Sequence, residues 1–371
     1  MKMAIIHDWL TGMRGGERCL DVFSELFPQA HLYTLLHLQG SVSPQIEKMS
    51  ITTSFIQTLP FSKKGYRKYL PLFPMAVEGF DLKGYDLILS CSHCVAKGII
   101  PPPDALHISY MLTPMRYAWD MYGDYFGERK SRWIPLFIHY LRMWDVTSSQ
   151  RVDHFLCISK HVENRIKKFY RRDAEVIHPP VDIRRFRLSD EKEDFFLIVS
   201  SFAPYKRIDL AIEAFNRIEY PLKIIGSGLE EKKLRSMARS NVVFLGWQSD
   251  ETVADLFSKC RALIFPGEED FGIVPLEAMA SGKPVIAYGR GGALETIVSY
   301  DQLGKGGGKA PTGLFFHEQN VNSLIDALEQ FTKIEGDFNP ALIRNHALHW
   351  DREIFKEKIK KNIYEKMESR C

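Results

Sequence analysis

The stretch from Arg261 to Tyr288 constrains this chain most. Arg261-Ala262-Leu263-Ile264-Phe265-Pro266 is an apolar run of strand length, and Gly267-Glu268-Glu269-Asp270-Phe271-Gly272 is an acidic turn. Ile273 to Ser281 has Pro275 near its start and Gly282 just past its end, the asymmetry of a short helix. Pro284-Val285-Ile286-Ala287-Tyr288 returns to strand. This is a βαβ unit, and ligands of open parallel sheets sit beyond the carboxyl ends of the strands, the edge that holds Glu269. Backbone N–H groups of the first helical turn, around Gly272, Ile273 and Val274, can receive an anion such as a phosphate. Glu269 and Glu277 flank that position; carboxylates would repel the anion itself, so on this reading they bind hydroxyls to either side. The plainer reading is that Glu277 complements the helix dipole and Glu269 is a solvated loop acid.

The same alternation runs along the chain. Met3 to Ile6 is a strand, and Gly12 to Glu17 is a turn opening an amphipathic helix to about Phe27. Its glycines do not follow G-x-G-x-x-G, yet Gly15 and Gly16 allow close backbone approach to a diphosphate, or simply make a tight turn. Strands follow at Tyr85–Ser90, Leu106–Tyr110 and His154–Ser159. The paired prolines of Ile177 to Asp182 mark a linker. A second series restarts with the strand Asp194–Ser200, Lys206-Arg207 at its carboxyl end, and a helix from about Ile208. Leu222–Ile225 before Gly226-Ser227-Gly228, and Val242–Leu245 before Gly246-Trp247, repeat the strand-to-turn step, and Ala341–Ser369 reads as one long amphipathic helical stretch. The expected fold class is α/β, in two domains spanning 1–178 and 179–371.

A chain of 371 residues can build two cores. Its 45% hydrophobic and 26% charged content, with no apolar run near the roughly 18 residues of a membrane helix and no signal peptide at Met1-Lys2-Met3, leads us to expect a cytoplasmic protein. Six scattered cysteines make no disulfide framework, and Cys91-Ser92-His93-Cys94 lacks the second pair of a metal site. Residues 1–186 hold 24 Lys/Arg against 18 Asp/Glu, so the first half is basic and suits an anionic partner. Two insertions there, Phe61–Phe80 with Lys63, Lys64, Arg67 and Lys68, and Arg129–Trp144 with Arg129, Lys130, Arg132 and Arg142, mix cations with aromatics. That pattern fits an element lying on anionic lipid, a single-stranded nucleic-acid groove, or a core helix with a snorkelling basic rim.

The motifs in their order resemble the family-four retaining glycosyltransferases of the GT-B fold. The order is Lys206-Arg207, Gly226-Ser227-Gly228, Phe244-Leu245-Gly246, the run from Glu269 through Glu277 to Val285, and Gly291-Gly292-Ala293-Leu294-Glu295-Thr296. In the first half, Arg14-Gly15-Gly16-Glu17-Arg18, Ser92-His93, Thr113-Pro114-Met115-Arg116-Tyr117-Ala118-Trp119-Asp120 and Pro179-Pro180-Val181-Asp182 resemble the mannosyltransferases that build bacterial polysaccharides such as O-antigen. The resemblance implies two Rossmann-like domains facing a cleft, acceptor-binding first and donor-binding second, with the last helix crossing back to the first. It implies a nucleotide-sugar donor, with GDP-mannose expected, a lipid-linked saccharide acceptor, an anionic membrane surface, no nucleic acid and no metal or other cofactor. The setting would be the inner face of the cell membrane.

By the same resemblance, Glu277 binds ribose hydroxyls, Glu269 the donor sugar, the turn Phe271–Val274 the sugar and phosphate, and Lys206 the diphosphate. Ser201, Gly226 and Trp247 join the donor site, with the base near Trp247; Gly15 and Gly16 complete its phosphate contacts. Arg116, Tyr117 and Asp120 are acceptor-side candidates. The chain departs from the pattern twice. Ser201 stands where many relatives have arginine, so Arg207 is the candidate to replace that guanidinium. Leu112 stands where relatives commonly have histidine, leaving His93 as the nearest substitute. A catalytically silent nucleotide-sugar-binding subunit and a sugar-nucleotide epimerase are the competing functions; acceptor-independent conversion of donor would mark the latter.

Overall fold

Strands covered on both faces carry apolar residues without alternation, and the central strands do so here. The computed structural model describes residues 2–126, 133–302 and 310–369. Its strands, in chain order, are β1 (Met3–His7), β2 (His31–Thr34), β3 (Ser50–Thr53), β4 (Leu87–Ser92), β5 (Leu106–Met111), β6 (His154–Cys157), β7 (Glu175–Val176), β8 (Phe196–Val199), β9 (Leu222–Ile225), β10 (Val242–Gly246), β11 (Leu263–Phe265), β12 (Val285–Tyr288) and β13 (Gly313–Phe316). Every residue of β1, β4 and β5 is buried. The strands form two parallel sheets, ordered β3-β2-β1-β4-β5-β6-β7 and β10-β9-β8-β11-β12-β13. In each, the order reverses beside the first strand of the series, at β1/β4 and at β8/β11. Such a switch point leaves a crevice at the strands' carboxyl ends.

The two sheets belong to two units, Met1–Pro180 with Glu353–Cys371, and Val181–Arg352. The expected single helix over Ala341–Ser369 is two helices, Pro340–Ala347 and Arg352–Glu368, separated by a 3₁₀ turn and by Asp351 with extended backbone. The break has a local cause: Val181 N–H donates to Trp350 O at 3.1 Å and Arg352 N–H to Val181 O at 3.0 Å, drawing this segment into a bridge. Beyond it, Phe355 packs on Phe23 and Tyr110 (ring centroids 5.8 and 5.6 Å), and Asn362 donates to Glu175 at 2.7 Å, all within the first unit. The strands β2, β3, β7 and β13 were not foreseen; all four are short and near or at a sheet edge, where no long apolar run announces them.

The two insertions share one core in the first unit. Phe73, Ala76 and Val77 pack with Ile138, Leu141 and Trp144. On the opposite side of helix Trp133–Ser149, Trp133, Leu136, Tyr140 and Met143 are exposed at spacings of three and four, a second apolar stripe. Arg129, Lys130 and Arg132 lie outside the described residues. Beneath this layer Lys97 is fully buried, its Nζ 2.8 Å from Asp145 Oδ1 and donating to Ser148 Oγ. Tyr170 OH and Trp119 Nε1 donate to the other Asp145 oxygen, so the buried charge pair is well compensated. Among the described residues no helix is long and apolar enough to cross a membrane.

Candidate functional site

In the second unit the loops after β8, β11 and β12 meet at the carboxyl edge of the sheet. Their contact is backbone on backbone. Gly292 N–H donates to Glu269 O at 2.8 Å, and a Cβ on Gly292 would lie 2.3 Å from Phe271 Cα. Only glycine permits that approach. Phe271 is buried, Gly272 adopts φ +91°, and helix Ile273–Ala280 starts after Gly272, which has no side chain of its own to cap the first turn. The Lys206 ammonium forms an ion pair with the Glu269 carboxylate. Glu277 is buried, 7% exposed, one turn into the helix.

The other expected donor-site residues are placed unevenly. Gly226 abuts the loop after β8, where a Cβ would meet Ser200 O at 1.8 Å, and Ser201 is exposed beside it. Trp247, following β10, is 79% exposed. Arg207 does not join Lys206 on Glu269. Its backbone is left-handed (φ +52°), and its guanidinium donates to Asp209 at 3.2 Å and to Gln319 at 3.3 Å. A left-handed position strains any side-chain-bearing residue.

In the first unit, Asp8 directly follows β1 and is fully buried. Its carboxylate accepts the N–H groups of His93, Cys94, Val95 and Ala96 at 2.7, 2.9, 2.7 and 2.8 Å, and lies 3.0 Å from His93 Nδ1. Burial alone would raise its pKa; the charge and hydrogen bonds of His93, aided by His7, outweigh that and hold it at about 2. His93 is braced edge-on by Trp9, ring centroids 4.5 Å apart. Gly15 and Gly16 open the helix Gly15–Leu26, where Glu17 accepts the Arg14 N–H at 3.1 Å and lies 3.5 Å from His7 Nε2. Leu112 sits against this corner: a Cβ on Gly16 would come 2.7 Å from Leu112 Cδ1 and 3.4 Å from His7 Cε1.

The acceptor-side candidates are drawn into the scaffold. Asp120 pairs with Arg165 Nη2 at 2.5 Å, and Arg165 also donates to Thr113 Oγ1, so it clamps the 113–120 segment from helix Lys160–Tyr170. Tyr117 OH lies 2.8 Å from Cys94 Sγ, and Arg116 is half-buried. Burial pushes the Cys91 and Cys94 thiols well up, keeping both neutral. Sequence reasoning passed over Asp8, Glu17 and Arg165. A charged residue directly after an apolar strand was the available signal for Asp8; Arg165, one cation in a basic helix, offered none.

Residues 181–348 match the model of the family described as glycosyl transferases group 1. An uncharacterised glycosyltransferase of Methanocaldococcus jannaschii is 33% identical over 181 residues, covering 47% of this chain and 48% of that protein. The O-antigen chain mannosyltransferase C of Escherichia coli is 37% identical over 154 residues, covering 40% of this chain and 39% of the relative. The chain thus spans about half or less of these curated relatives. In structure it is similar to Anabaena Alr3699/HepE in complex with UDP, at a TM-score of 0.71 and 16% identity, covering 98% of this chain and all of that one. Two parallel sheets with their switch points and this likeness give the GT-B fold of two Rossmann-like units, and the match to glycosyl transferases group 1 covers the second of them.

Proposed function

We propose that the chain is a retaining hexosyltransferase that moves mannose from GDP-mannose to a lipid-linked saccharide in the assembly of a cell-surface polysaccharide. The observation that carries this reading is the Lys206–Glu269 ion pair in the loop that leads into the amino end of helix Ile273–Ala280. The donor diphosphate takes the Lys206 ammonium and the amides at Phe271–Val274, while sugar hydroxyls donate to the released Glu269. Glu277 takes the ribose. As the bond from the anomeric carbon to phosphate breaks, negative charge grows on the diphosphate, and preorganised positive groups aimed there lower the barrier most. The acceptor oxygen bonds to the anomeric carbon from the same face, and its proton passes to the departing phosphate.

Positive charge is thus supplied by the chain, and transfer proceeds without a metal. In the first unit, His93, held by Asp8, faces the acceptor. The E. coli O-antigen mannosyltransferase supports mannose as the sugar. The exposed stripe Trp133–Met143 and the cations Lys63, Lys64, Arg67 and Lys68 support attachment to the inner face of the cell membrane. The test is transfer of label from GDP-mannose to a membrane lipid extract in the presence of chelator. Labelled lipid with an α-linked sugar supports the reading; labelled lipid from another donor only, or donor bound and never transferred, refutes it.

A further inference from the structure

At the edge of the first sheet, a cleft of about 620 Å³ opens against edge strand β3, its polar wall made by His37, Gln39, Glu47, Thr53, Gln57 and Lys63. The wall is built, not incidental. Gln57 grips the His37 backbone at both ends, accepting its N–H at 2.8 Å and donating to its O at 3.2 Å. Glu47 accepts Gly40 N–H at 2.8 Å and lies 3.1 Å from His37 Nε2. The side chains of Gln39, Thr53 and Lys63 make no hydrogen bond or ion pair among the described residues, and their polar ends are available to a ligand. Leu38 N–H donates to Leu10 O at 2.9 Å, tying the cleft to the loop that follows Asp8.

We infer that this cleft is the subsite for the inner sugars of the saccharide acceptor, an inference that rests on the glycosyltransferase reading above. Its volume is that of a small-molecule site. Its groups are amide, hydroxyl, imidazole, carboxylate and ammonium, so donors and acceptors are mixed in one wall. Each sugar hydroxyl both donates and accepts, and matches such a mixture. A nucleotide diphosphate would meet the Glu47 carboxylate, and an acyl chain would strand the polar wall. Strand order sets the reach. β3 lies three strand spacings from β4, which leads to His93, roughly 14 Å across the sheet. A sugar reacting beside His93 cannot also fill the cleft, so the cleft holds units further back along the acceptor chain. The enzyme therefore selects acceptors by length, through contacts remote from the bond it makes.

The test compares a short acceptor, octyl α-mannoside, with an octyl mannotetraoside, in wild type and in the variants Gln39→Ala and Thr53→Trp. Wild type is expected to show a kcat/KM at least tenfold higher for the tetraoside. Both variants should erase that preference by raising the tetraoside KM, with the donor Kd from calorimetry unchanged. Independently of any transfer, free mannotriose should shift the His37 ring signals in NMR spectra of wild type and not of Thr53→Trp, with inorganic phosphate giving no shift. Equal kcat/KM for the two acceptors, preference retained in Gln39→Ala, or phosphate displacing mannotriose overturns the subsite. Absence of transfer from every donor would instead remove the enzymatic reading and leave the mannotriose result to stand or fall alone.

Discussion

Lys206 and Glu269 are ion-paired with their side chains only 14% and 18% exposed, at the loop edge of the second sheet. Each neutralises the other until a ligand separates them. Lys206→Ala should lower kcat/KM by about 100- to 1000-fold, the usual cost of losing one charge-stabilising group. Glu269→Ala should do likewise, and the double variant should be little worse than the poorer single one, because the two act as a unit. Label transfer from the sugar nucleotide measures all three; wild-type turnover in either single variant removes the site.

Gly292 lies where the backbone of the donor loop passes closest. A methyl group 2.3 Å from Phe271 Cα cannot be accommodated without moving the Glu269–Gly272 loop. Gly292→Ala is expected to cost about 1–3 kcal/mol of stability and to weaken sugar-nucleotide binding at least tenfold. Urea denaturation and calorimetry read the two effects separately, and an unchanged Kd would show that the loop geometry does not matter to the ligand.

The carboxyl of Asp8 is held down at about 2 against an ordinary 3.8. A depressed folded-state pKa contributes stability that is complete above the unfolded value and is lost as pH falls from about 4 toward 2. The contribution is on the order of 2 kcal/mol. Asp8→Asn should be less stable than wild type at pH 7 and should show a shallower loss of stability between pH 4 and 2. Denaturant melts across that range check the sign; parallel curves for the two proteins would contradict it.

Reversing Lys63, Lys64, Arg67 and Lys68 to glutamate should weaken binding to phosphatidylglycerol vesicles at least 100-fold, each cation near an anionic surface contributing about 1 kcal/mol. Trp133→Ser with Leu136→Ser should weaken binding to neutral vesicles as well, through lost apolar contact. Co-sedimentation measures both, and retention of the charge-reversed protein on anionic vesicles would argue against the basic patch.

How far these features could be read from the sequence follows from their range. The turn Glu269–Gly272 and its helix are local patterns, signalled by acidic residues, proline and glycine within a dozen positions. The pairing of Gly292 with Phe271 was not legible, because it depends on two βα loops meeting across neighbouring strands. Arg207 beside Lys206 suggested two cations in one site, yet a left-handed backbone turns its side chain to Asp209 and Gln319. Asp120 looked free for an acceptor until Arg165, 45 residues away, claimed it. The break at Asp351 was hidden because its cause is Val181, far off in the chain.

The helix Arg352–Glu368 supplies Phe355 to the aromatic cluster around Phe23 and Tyr110, although these partners are made some 250 residues or more before it. During synthesis the leading half must therefore wait, its interior open on one side, while residues 181–352 emerge and can fold first. A chain cut after residue 352 would hold a finished rear half and an unfinished front one.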